Sequence, residues 1–125
     1  MKLEKCEMAN AKITSTMLGI EDHGILTAMI QLDYGSSSQG FGGFMFDMSR
    51  GKGPRKGLPF AAEFIRSLLD TLEVNEWESL KGKVVRVRRE EGWNGKILAI
   101  GHIIKDQWCD PEVIWARNQK RKKAQ

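Results

Sequence analysis

Arg86 and Arg88, in KVVRVRREE, sit on alternate positions and share one face of an extended chain, where each guanidinium can take a phosphate in a two-pronged hydrogen bond. The same pair also reads as a solvated strand face balanced by Glu90 and Glu91. Farther on, Trp93 and Asn94 stand between glycines in GWNGK. The indole can stack on a planar ring and the amide can bond a purine edge, although a turn is by itself sufficient reason for an Asn-Gly pair. The stretch DYGSSSQGFGGFMFD, residues 33–47, sets bare backbone among aromatic side chains. Glycines in strands mark bulges or places where a ligand or another backbone comes close, and Phe41, Phe44 and Phe46 read as core or interface. Arg117 and Arg121 are four apart and share a helix face. Cations there suit the negative end of a helix dipole and are also available to an anion.

Other chemistry finds less support. Nucleophilic catalysis needs Ser or Cys beside a matched base, and His23 and His102 are far apart with no supporting motif. No carboxylate pair stands out, and Asp22-His23 lies in a turn where it could in principle shuttle a proton. Enzyme activity is therefore not expected, with no catalytic residues and no cofactor. Cys6 and Cys109 form no C-x-x-C and have no metal-like partner nearby in sequence, so no metal site is expected and both thiols are read as reduced. GFGG, residues 40–43, superficially matches a dinucleotide fingerprint, but that fingerprint needs a helix after the glycines and here a strand follows.

These residues need elements to hold them. ITSTM, EDHG and ILTAMIQLDY read as strand, turn and half-buried strand, and FGGFMFDM returns to strand character, giving an antiparallel meander. SRGKGPRKGLP, residues 49–59, reads as a mobile loop. Pro59 suits the first position of a helix, and Ala61, Phe64, Ile65, Leu68, Leu69 and Leu72 follow at helical spacing. A short helical turn over residues 76–80 precedes KVVRVRREE, a two-residue Asn94-Gly95 hairpin turn and the returning strand ILAIGHII. Asp110, Pro111 and Glu112 start a C-terminal helix running toward Arg121. The expected architecture is one α+β domain over residues 1–125: a small, mostly antiparallel sheet of about five strands, one long amphipathic helix and a C-terminal helix.

The formal net charge of +4 comes from two basic blocks on an acidic remainder, Arg50, Lys52, Arg55 and Lys56, then Arg117 and residues 120–123. Such blocks suit a local anionic partner or solvated loops and tails. Neither a recognition helix nor an aromatic-basic ribonucleoprotein motif accompanies them, so DNA is not an expected partner. No apolar run approaches the roughly 18 residues of a membrane span, and MKLEKCEMANAK lacks a signal peptide's apolar centre. A cytosolic protein without membrane contact is expected.

ITSTMLGIEDHGILTAMIQLDYG, then QGFGGFMFD, then WNGK, in that order and spacing over residues 12–96, resemble the first-described family of phage anti-Thoeris sponge proteins. The resemblance implies a phage-encoded binder in the cytoplasm of the infected bacterium, sequestering glycocyclic ADP-ribose made by a TIR-domain enzyme. It implies a small antiparallel sheet with helices, assembled as a homo-oligomer, dimer or hexamer. In some members a separate site where subunits meet binds cyclic oligonucleotides. Carried onto this sequence, it implies a signal pocket near Gln39, Phe41, Gly42, Gly43 and Asn94, with Trp93, Arg86 and Arg88 as further candidates, and Arg117 and Arg121 at the second, anion-binding site. The competing reading is a phage structural or protein-interaction module, with GFGG as a subunit contact and the cations as plain surface.

Overall fold

Alternating apolar residues must bury one face of each strand, and the helical stripe behind Pro59 must cover that face. A computed structural model describes residues 6–92 and 95–124, with the backbone alone over residues 121–124. The strands are β1 (Cys6–Ile20), β2 (Leu26–Asp33), β3 (Ser38–Gly42), β4 (Asp47–Met48) and β5 (Lys56–Gly57). Helix α1 (Pro59–Leu72) follows, then a 3-10 turn over Trp77–Leu80, β6 (Val84–Glu90), β7 (Ile97–His102), β8 (Trp108–Cys109) and α2 (Pro111–Ala124). The main sheet runs β3-β2-β1-β6-β7-β8, with every neighbouring pair antiparallel.

The α+β class stands, with six strands in the sheet where about five were expected. The additional one, β8, has two residues, too few to show an alternation. β1 is longer than its β-branched run suggests, and its 15 residues allow it to pair with β6 near its start and with β2 near its end. On the inner face Ala11, Ile13, Ala28, Ile30, Leu32, Val85, Val87 and Ile100 meet Phe64, Leu68 and Leu72 of α1 and Ile114 of α2. Each fully buried Leu, Ile or Phe contributes roughly 1.5–3 kcal/mol relative to an exposed one, so this stripe accounts for the placement of α1 without any ligand.

Two connections differ from the sequence reading. The segment FGGFMFDM stays in the main sheet only as far as Gly42, and its last two residues, Asp47–Met48, are a strand of the separate β4–β5 ladder. Residues 49–59, read as a mobile loop, are spanned by the β4–β5 ladder, which Arg55 braces with its Nε 2.9 Å from Asp47 Oδ1. Between β6 and β7 the Glu90 N–H donates to the Lys96 carbonyl at 2.9 Å and the Gly95 N–H to the Gly92 carbonyl at 3.2 Å, and the expected two-residue turn falls in part on Asn94. Trp93 and Asn94 lie outside the described residues. Among those described, no helix is long and apolar enough to cross a membrane.

Candidate functional site

Strand alternation divides the arginines of β6 between the two faces of the sheet. Arg86 and Arg88 point outward, while Arg89 follows Val85 and Val87 onto the inner face. On the outer face both guanidinium carbons lie 5.0 Å from the centre of the Trp108 ring. That ring rests against Gly101, where an added Cβ would fall 2.6 Å from Trp108 Cε3. Arg86 also donates from Nε to the His102 carbonyl at 2.9 Å and from Nη2 to the Lys105 carbonyl at 2.8 Å. Arg88 Nη2 reaches Asp110 Oδ2 at 2.7 Å. Asp110 meanwhile caps α2 through Oδ1, accepting the Glu112 and Val113 N–H groups at 3.0 and 3.3 Å. Both arginines thus hold structure as well as presenting charge.

The inner corner, where β3 ends the sheet, gathers a different set. Gln39 Oε1 accepts the Tyr34 hydroxyl at 2.6 Å and Arg89 Nη1 at 3.1 Å. Gln39 Nε2 donates to the Gly95 carbonyl at 2.7 Å. Arg89 Nε pairs with Glu7 Oε1 at 2.9 Å, and its guanidinium carbon lies 5.2 Å from the Tyr34 ring centre. Burial raises the Tyr34 hydroxyl above its ordinary value, with the neighbouring Arg89 opposing that shift. The hydrogen bond to Glu7 raises the Arg89 guanidinium further, so it is charged at any working pH. LDYG, QGFGG and WNGK, well separated in sequence, are brought to one corner by a single amide.

The glycines of that corner have a local explanation. Gly42 has φ +126°, and a Cβ there would sit 2.2 Å from the Ala28 carbonyl oxygen. Gly43 at φ +76° sends its N–H to the same oxygen at 2.7 Å. Met29 pairs with Gly42, yet the Phe46 N–H reaches the Leu26 carbonyl, so the edge chain carries one residue more than β2 opposite it. The extra length is fixed by Thr27 Oγ1 donating to the Phe44 carbonyl at 2.6 Å. Phe41 points inward, is 3% exposed, and meets Phe44 and Phe64 at ring distances of 5.9 and 6.0 Å. Its ring is a core element of this chain and offers no open face for stacking.

The remaining candidates disperse. Arg117 is exposed on α2 and lines a groove with Arg66, Ser67 and Asp70 of α1, whereas the side chain of Arg121 falls outside the described residues. Phe44, Met45, Leu58, Phe60, Pro111 and Trp115 wall an almost wholly apolar groove of about 400 Å³. The sequence reading missed Arg89, Tyr34 and Trp108 as site residues. Continuing the Val85, Val87 alternation by one step would have turned Arg89 inward; no periodic signal marks Trp108. Among the described residues, no group of three or more His, Cys, Asp or Glu side chains is arranged to hold a metal ion. No protein-family model, no curated protein and no solved structure matches this chain.

Proposed function

We propose that the protein binds and sequesters a cyclic nucleotide signal of the cyclic ADP-ribose type, glycocyclic ADP-ribose, and releases it chemically unchanged. The observation that carries this reading is the bridge made by Gln39, which joins the three stretches of the family resemblance at one corner of the sheet. Such a ligand presents a purine face, ribose hydroxyls and a pyrophosphate. The corner offers the Tyr34 ring, the Glu7 carboxylate and the Arg89 guanidinium, and β3 is an edge strand with one row of backbone groups turned away from β2. The protein works as a phage-encoded homo-oligomer, dimer or hexamer, in the cytoplasm of the infected bacterium, with no metal or cofactor and no DNA partner. Cyclic oligonucleotides bind at a second site near Arg117 and Arg121.

Calorimetric titration with glycocyclic ADP-ribose tests the proposal. Saturable heat supports it, whereas no heat and no thermal shift at high ligand would sink it. The second reading, a protein-interaction module, is favoured by one observation, the aromatic groove beside Trp115, which is 49% exposed. It predicts the silent titration.

A further inference from the structure

One imidazole ties down the turn between β7 and β8. The backbone N–H groups of Ile104 and Lys105 both donate to His102 Nδ1, each at 3.0 Å. A donor must point at a lone pair, so the two bonds require an Nδ1 without a proton. Nε2 lies 3.4 Å from Glu73 Oε1, and the other oxygen of that carboxylate meets Lys105 Nζ at 2.5 Å. Glu73 ends α1 in the left-handed conformation, φ 58°, so the ring couples the turn to the end of the helix. Two charged groups face it, Glu73 from the end of α1 and Lys105 from the turn itself, whereas Arg86 of β6 reaches the His102 backbone carbonyl from the other face of the sheet. The His102 side chain is 14% exposed, close enough to water to exchange a proton.

We propose that His102 is a proton-sensitive latch on the β7–β8 turn. A proton on Nδ1 consumes the lone pair that both N–H groups share and leaves three donors facing one another. The ring and the turn must then part. Glu73 attracts the imidazolium and keeps it at the helix end, while Lys105 repels it, so the turn is the part that opens. Opening frees Gln107, whose Nε2 donates to the Thr71 carbonyl at 3.1 Å, and loosens the neighbouring Trp108 from Gly101. Acid thereby reaches the outer-face stack of Arg86, Arg88 and Trp108 through one side chain.

Hydrogen exchange of the Ile104 and Lys105 amides, corrected for intrinsic rates, between about pH 8 and about pH 5 tests the latch. Protection is expected to fall about tenfold or more on acidification, while the amides of β1 and β6 stay protected. His102→Asn places a carbonyl oxygen near the position of Nδ1 and does not titrate. It is expected to keep protection at both pH values. Wild-type protection that is unchanged with pH, an equal acid loss in His102→Asn, or a nitrogen NMR spectrum showing hydrogen on Nδ1 at about pH 8 would overturn the proposal.

Discussion

Gln39 Nε2 donates to the Gly95 carbonyl at 2.7 Å, across 56 positions of sequence. The same side chain accepts from Tyr34 and Arg89, so the edge strand, the end of β2, the inner face of β6 and the β6–β7 connection meet at one amide. Its oxygen has two donors and its nitrogen has an acceptor. Little slack remains in the corner.

Removing that amide should loosen all four elements together. Gln39→Ala leaves the Tyr34 hydroxyl and one Arg89 donor without their partner, which costs about 1–3 kcal/mol. Urea denaturation at neutral pH measures the loss. Glycocyclic ADP-ribose affinity is expected to drop in the same variant by at least about tenfold, beyond what an equally destabilised core variant shows.

Gly42 separates the local from the ligand-facing explanation of the glycine segment. Gly42→Ala would put a methyl 2.2 Å from the Ala28 carbonyl at φ +126°. The edge strand must shift, and the expected destabilisation is about 2 kcal/mol or more, seen in the denaturant midpoint whether or not ligand is present. A stability unchanged from wild type, with binding lost, would return the glycine to the ligand.

What the sequence made legible was whatever repeats. The stripe from Ala61 to Leu72 and the Asp110-Pro111-Glu112 start each fell where their periodicity or capping chemistry put them. The face of each strand was legible too, since Val85 and Val87 set the direction of Arg86, Arg88 and Arg89. Partners were not. Nothing local indicates that Arg88 pairs with Asp110, or that Trp108 lies against Gly101, because those contacts depend on the register of β6, β7 and β8. Phe41 was legible as core or interface from its type alone, and it was the family resemblance that moved it to a pocket; its partner Phe64 on α1 was not legible.

Phe41 is accordingly predicted to behave as core. Phe41→Ala should cost about 3–5 kcal/mol, and Phe41→Leu clearly less, since part of the volume is kept. Thermal and urea unfolding check both. A fully stable Phe41→Ala protein that no longer binds nucleotide would move the ring from the core to the ligand site.

Cys109 gives a pH prediction. Burial pushes its thiol up to about 12, so the folded chain holds that proton more tightly than the unfolded chain. Its contribution to stability is present below the ordinary thiol value, about 8.5, and declines as pH rises above it and through the folded value. At about pH 8 alkylation of Cys109 in a Cys6→Ser background should require unfolding by urea. Rapid labelling of the native protein would contradict the buried, protonated thiol.

The central claim is capture without turnover, and mass spectrometry of what the protein gives back tests it most directly. The protein is incubated with glycocyclic ADP-ribose, freed of unbound ligand and denatured by heat. The account predicts that the released molecule has the mass and chromatographic behaviour of the intact cyclic ligand. Release of a linear or otherwise cleaved product, or a protein fraction that retained no ligand at all, would contradict it.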